Sequence, residues 1–238
     1  MVQRILYRLA DKALRGNLLA LCLGPVGVNH WRDTKASGDV MIVRYADDFV
    51  IGFQHRHEAE TFIVDLQQRL AKFALSLHPE KTRLIEFGRF SAQNRKKVGR
   101  GKPETFDFLG FTHICTATRK KGWFHIYRKT VKKRLRATLS RVKAAIRARM
   151  HDPIGEVGAW LQTVIRGYYR YHAVSGNLYA MNTFRTEIIR YWFKALRRRG
   201  QKRRMNWERF KPIVKRWIPS PTVQHPYPNV RFYAKHPR

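Results

Sequence analysis

Asp47 and Asp48 stand side by side within residues 40–53, VMIVRYADDFVIGF, between two runs rich in β-branched and aromatic side chains. Residues 40–43 and 49–53 are mostly apolar, as expected of a buried or half-buried hairpin, and paired aspartates suit the turn between them. Neighbouring carboxylates repel, and each raises the cost of ionising the other unless a cation lies beside them. Oxygen-only donors with positions left open for phosphate groups are what Mg²⁺ favours. The pair therefore reads either as a metal site for phosphate chemistry or as an ordinary hairpin whose turn is Asp-Asp, and the surrounding chain has to decide.

The 238 residues carry 49 Lys and Arg against 16 Asp and Glu, very unevenly placed. Residues 1–88 hold 12 basic and 10 acidic side chains, a net of +2, whereas residues 89–238 hold 37 and 6, a net of +31. A basic excess of this size interleaved with aromatic residues points to nucleic acid, because neutralising phosphates releases counterions and rings offer stacking surfaces. A membrane-surface role is the weaker alternative, and no apolar run approaches the roughly 18 residues of a membrane span. Residues 18–27, LLALCLGPVG, copy the apolar region of a signal peptide. Asp11 interrupts the basic stretch before it, and no clean small-residue cleavage site follows. Cys22 and Cys115 are the two cysteines, far apart, which supports neither a disulfide framework nor a cysteine zinc site and fits a reducing cytoplasm.

The elements that would position the aspartates follow from periodicity. A short helix fits residues 2–14. After the hairpin, Ala59, Phe62, Ile63, Leu66, Leu70, Phe73 and Leu77 recur every three or four residues, predicting an amphipathic helix over 58–77 ended by Pro79. Residues 82–87, TRLIEF, read as the next strand, 90–103 as a basic loop, 106–114 as a strand running through Gly110, and 123–127 as its partner. From Val131 the period becomes helical. One stripe is Val131, Leu135, Leu139, Val142, Ile146 and Met150; a second is Val157, Leu161, Val164, Tyr168 and His172, opened by Asp152 and Pro153. A third runs from Leu178 to Leu196 and ends in Arg197, Arg198 and Arg199. A short fourth helix fits Trp207 to Trp217, followed by an extended Pro-rich tail. His55 and His57 form a His-x-His pair but, beside a helix start, are expected to be exposed and are assigned no role.

Three strings stand in fixed order, RYADDFVIGF, HPEKTRLIEFG and FDFLGFTH, followed by a basic helical part containing IRGYYRYHAV and YWFKALRRR. Together these resemble the C-terminal palm and thumb of group II intron reverse transcriptases, RNA-directed DNA polymerases that also act as splicing maturases. The likeness covers about residues 28–238. It implies an α+β fold, a partial polymerase palm (antiparallel sheet with helix) at 28–128 followed by an all-α three-helix thumb or maturase bundle at 129–200. Residues 1–27 would be a divergent segment and 201–238 a basic extension.

The resemblance also implies roles. Asp47 and Asp48 match the paired catalytic aspartates that hold Mg²⁺, with Mn²⁺ as an alternative, Asp47 being the more direct ligand. Tyr45 would lie under the primer end with Ala46 beside it, and Lys81 would lie near the nucleotide and primer backbone. Leu109 and Gly110, followed by Phe111, match the segment that supports the primer strand. Arg166, Tyr169 and Arg170 would form a duplex-facing stripe while Tyr168 faces the core, with Arg197, Arg198 and Arg199 adding charge for RNA. The implied partners are structured intron RNA, RNA template, DNA primer and deoxynucleotides. The chain departs from the family ahead of the Asp-Asp turn: no third catalytic aspartate stands in a matching context, and the Pro-Gln-Gly string expected upstream is missing. The chain thus looks truncated, with a complementing N-terminal polypeptide among its expected partners. The alternative is a non-catalytic RNA-binding maturase module or a decayed fragment.

Overall fold

The computed structural model describes residues 4–7, 30–45, 48–77, 79, 82–118, 121–199 and 205–225. The class is α+β, as expected from the sequence. The chain divides into two units: residues 1–106 with 114–126, and residues 107–113 with 127–238.

In the first unit, β1 (Arg4–Tyr7), α1 (His30–Lys35), β2 (Val40–Tyr45), β3 (Asp48–Phe53), α2 (Arg56–Ala71) and β4 (Arg83–Glu86) follow one another. The sheet order is β2-β3-β1-β4, antiparallel throughout. This interleaving is the split βαβ plan, in which the first strand enters between two strands that follow it in sequence. The expected helix over 2–14 is thus replaced at 4–7 by a strand. Four residues carry almost no periodic signal of their own, and pairing on both sides, Tyr7 with Val50 and with Arg83, decides their conformation. The rest of that predicted helix lies outside the described residues.

Helices α1 and α2 cover one face of the sheet. Trp31 meets Phe53 and Phe62 edge-on at 5.8 and 5.1 Å, and Ala59, Leu66 and Leu70 complete the layer with Ile51. The predicted helix over 58–77 stops at Ala71 rather than at Pro79. Leu75 N donates to Leu70 O and Ala74 N to Ala71 O, with Ala74 at φ 55°, which is a Schellman ending made without glycine. Leu75 turns back onto the core beside Leu70, so burial of one leucine substitutes for continuing the helix. The expected loop at 90–103 contains a further helix, α3 (Ser91–Lys97). It is held by Ser91 Oγ donating to Gly88 O at 2.8 Å and Asn94 Nδ2 donating to Glu86 Oε1 at 3.0 Å.

A three-stranded sheet, order β5-β6-β7, is formed by β5 (Thr105–Phe108), β6 (Phe111–Ala117) and β7 (Phe124–Thr130). The single strand expected at 106–114 is therefore two strands joined at Leu109 and Gly110.

The second unit carries α4 (Lys132–Ala148), α5 (Ile154–His172), α6 (Leu178–Arg198) and α7 (Trp207–Trp217), close to the four helices predicted. The α5 start falls one residue later than expected, with Pro153 at the N-cap. Leu139, Val142 and Ile146 of α4 pack with Leu161 and Ile165 of α5, Phe184, Ile188 and Trp192 of α6, and Phe210 of α7. Beyond α7 the chain runs back along α5: Gln224 N donates to Ala173 O and Tyr169 Oη to Pro219 O. Of the Pro-rich tail expected to be extended, residues 219–225 are described and form neither helix nor strand.

Close packing of α7 on α5 depends on Gly158, where an added Cβ would lie 2.5 Å from the Trp217 ring. Gly158→Ala is expected to lower stability by about 1–3 kcal/mol despite alanine's higher helix propensity, because the indole must move. Chemical denaturation of parent and variant measures this; an unchanged midpoint would contradict it.

Candidate active site on the palm-like hairpin

Strand register places Tyr45 directly opposite Asp48, with Val43 opposite Val50 and Met41 opposite Gly52. Side chains alternate across a strand, so these residues share one sheet face while Val40, Ile42 and Phe49 share the other with the helices. On β2 the difference in exposure is large: Met41 is 56 %, Val43 47 % and Tyr45 65 % exposed, whereas Val40 is buried. On β3 the same face is closed over, Val50 and Gly52 being buried, and Asp48 is half-buried at its tip. Ala46, Asp47 and Lys81, all singled out by the sequence, lie outside the described residues.

Two carboxylates, Glu58 buried and Asp65 half-buried, fix the approach to the hairpin. Glu58 Oε1 accepts from Ser37 N at 2.6 Å, Ser37 Oγ at 2.8 Å and Gly38 N at 3.0 Å, holding the turn that leads into β2. Burial pushes the Glu58 carboxyl upward, but the Ser37 and Gly38 donors together with nearby His55 outweigh it and hold the group below the ordinary carboxylate range. Asp65 Oδ2 accepts from Trp31 Nε1 at 2.7 Å and Lys35 Nζ at 2.8 Å, tying α1 to α2, and the Lys35 bond is the main reason its carboxyl is also lowered.

The resemblance places a third aspartate on the strand adjoining this hairpin. In the structure that strand is β1, whose residues Arg4, Ile5, Leu6 and Tyr7 include no carboxylate. Among the described residues no three His, Cys, Asp or Glu side chains come together as a metal cluster. Asp48 contributes an oxygen donor of the kind a hard cation takes, but the described residues do not complete a metal site on their own.

Leu109 and Gly110 form the tight turn between β5 and β6, at φ 47° and 80°. Two successive positive φ values are the pattern of a type I′ hairpin turn, which normally takes Asn-Gly. A leucine in the left-handed region costs about 1–2 kcal/mol. Two hydrogen bonds offset that strain, each contributing about 0.5–1.5 kcal/mol net: Tyr171 Oη donates to Leu109 O at 2.7 Å and Val131 N donates to Gly110 O at 3.0 Å. A Cβ on Gly110 would lie 3.2 Å from Arg134 Nη1, the end of a flexible side chain that can give way, so it is the positive φ that favours glycine here.

Of the cations expected on the helical part, Arg166, Arg170, Arg197 and Arg198 are exposed. Arg199 is engaged within the protein, donating to Asp152 O at 2.7 Å and His151 O at 3.0 Å. Tyr169 does not join the duplex-facing stripe: it is 2 % exposed, inside the core, and burial pushes its hydroxyl up to about 12. The buried stripe of α5 is Leu161, Ile165 and Tyr169 at intervals of four, and it is wide enough to half-bury Val164 and Tyr168 as well. Tyr168 does face inward as expected, stacked 3.8 Å from Phe184.

Sequence reading missed Tyr171, Arg134 and a buried polar network at the base of α6. Asn177 Oδ1 accepts from Thr130 N at 2.9 Å, and its Nδ2 donates to Thr130 Oγ1 and His172 O, each at 2.8 Å. His172 Nδ1 lies 3.2 Å from Thr130 Oγ1. Burial, reinforced by the Arg134 charge, lowers His172 to about 4. An unfolded histidine titrates near 6.5, so the unfolded chain binds the extra proton first as pH falls. The resulting stability is fully present above about pH 6.5 and lost by about pH 4. Because the ring is partly exposed, the loss is expected to be about 1–2 kcal/mol rather than the full value of the shift. Denaturation midpoints between pH 7 and 4.5 measure it, and His172→Gln should flatten the slope; an equally steep slope in the variant would contradict this assignment.

Comparison with known families places these features. Residues 12–113 match the family model for Reverse transcriptase (RNA-dependent DNA polymerase). The match contains the whole hairpin, Asp47 and Asp48 included, and the Leu109–Gly110 turn, and supports a reverse transcriptase-like nucleotidyltransferase. It begins sixteen residues before the likeness carried by the motifs, and it ends before the helices of the second unit. No curated protein matches the chain. Among the described residues no helix is long and apolar enough to cross a membrane.

Proposed function

We propose that the chain is a group II intron-type reverse transcriptase and maturase polypeptide, performing RNA-templated DNA synthesis and binding intron RNA through its basic helical part. The observation that carries the reading is the reverse transcriptase match over a stretch holding a hairpin with Tyr45 opposite Asp48 and with Met41, Val43 and Tyr45 of β2 exposed. Residues 28–128 act as palm and 129–200 as thumb.

Asp47 and Asp48 are the residues that would hold Mg²⁺ or Mn²⁺; a bound ion of this kind stabilises charge on the attacking and leaving oxygens of a phosphoryl transfer. The protein's own groups do the positioning. Tyr45, exposed beside Asp48, offers a flat surface for the primer end, with Ala46 next to it and Lys81 toward the nucleotide phosphates. The Leu109–Gly110 turn supports the primer strand. Arg166, Arg170, Arg197 and Arg198 contact RNA phosphates as exposed point charges. One observation favours the second reading, an RNA-binding maturase module without polymerisation: β1 brings no carboxylate to the hairpin.

Titration of the parent and of the Asp47→Asn, Asp48→Asn variant with Mg²⁺ and Mn²⁺ tests the site. The parent is expected to bind weakly, since Mg²⁺ gives up its waters reluctantly and the adjoining strand adds no ligand, and the variant not at all. Identical responses would remove the hairpin as a metal site.

A further inference from the structure

We propose that Tyr171 is a positioning residue that sets the Leu109–Gly110 turn for a nucleic-acid strand, an inference that rests on the polymerase reading above. Tyr171 lies on α5, 62 residues from Leu109 in sequence, and its hydroxyl donates to the Leu109 carbonyl at 2.7 Å. Its ring stacks on Phe111 at 5.7 Å and 17°, and meets His172 edge-on at 4.9 Å. One side chain thus grips the turn at the strained residue and again at the first residue of β6.

Tyr171 nevertheless remains 51 % exposed, so burial does not account for its place. The consequence is electrostatic. With Leu109 O drawn to the Tyr171 hydroxyl and Gly110 O accepting from Val131 N, both carbonyls of the turn point at protein donors. A phosphate approaching the turn then meets the exposed Arg134 guanidinium, which lies over the buried Gly110, instead of carbonyl oxygens that would repel it. Deleting the hydroxyl releases the Leu109 carbonyl and lets a leucine held at positive φ relax toward an ordinary conformation.

The test compares parent, Tyr171→Phe and Arg134→Gln in binding a primer–template with a recessed 3′ end, a blunt duplex of equal length and a single-stranded RNA, with thermal unfolding measured alongside. Tyr171→Phe keeps the ring and is expected to lose about three- to tenfold of the preference for the recessed end while its single-strand affinity stays at the parental value and its unfolding temperature falls by no more than about 2–4 °C. Arg134→Gln should lose the same preference with Tyr171 intact. A parent that prefers the recessed end together with a Tyr171→Phe variant that prefers it equally overturns this inference alone. A variant that melts earlier and loses all three affinities together marks Tyr171 as merely structural and overturns it too. A parent with no preference overturns the polymerase reading and this inference with it.

Discussion

Raising salt from about 50 to about 200 mM is expected to weaken binding of structured RNA by about a thousandfold or more. Residues 89–238 hold 37 Lys and Arg against 6 Asp and Glu, so few cations can be neutralised within the protein. The fold turns many of them outward. The apolar stripes of α4, α5 and α6 pack on one another, and Lys132, Lys133, Arg136, Arg141, Lys143 and Arg147 of α4 are left on the exposed side. Each phosphate neutralised releases counterions, and six or more simultaneous contacts give the steep slope. Charge reversal at Arg197 and Arg198 should lower affinity across RNA sequences alike. Reversal at Arg199 should also disturb the fold, because that guanidinium holds the His151 and Asp152 carbonyls. Binding that barely changes over this salt range would contradict a phosphate-contacting surface.

How much of this was legible in the sequence depends on the range of the interactions that decide each element. The hairpin at 40–53 was readable because alternation and β-branched residues are local signals, and α4 to α7 were readable because their buried stripes repeat over many turns. Strand β1 was not: Arg4 to Tyr7 take their conformation from β3 and β4, which lie far along the chain. The end of α2 was misplaced because Ala74 occupies a left-handed position that sequence rules reserve for glycine. Leu109 misled in the same way, presenting as strand what the structure makes a turn. In α5 the sequence stripe through Val164 and Tyr168 was real but too narrow, and Tyr169 belongs to the core on its other side. The contact of Tyr171 with Leu109 leaves no local trace at all. At the Asp47–Asp48 hairpin the sequence assigns both aspartates to the turn, whereas the structure puts Asp48 on β3 opposite Tyr45, and the carboxylate-free strand beside β3 could be seen only once the sheet was assembled.

On the proposed function, the Asp47–Asp48 hairpin carries RNA-templated nucleotidyl transfer. Transition-state stabilisation by convergent groups fails steeply when one is displaced, so the chain alone, with no carboxylate on β1, is expected to extend a primer poorly. Supplying a polypeptide that offers a strand bearing an aspartate in the place of β1 should restore synthesis. Replacing Asp47 then removes a group acting at the reacting phosphate and should lower the restored rate by about a hundred- to a thousandfold, with RNA binding unchanged. Primer extension on an RNA template, with the added fragment, by the parent and by Asp47→Ala is the most direct measurement. Synthesis by the first and almost none by the second is expected; restored synthesis that is indifferent to Asp47→Ala, or no synthesis by either, would contradict a catalytic role for the hairpin.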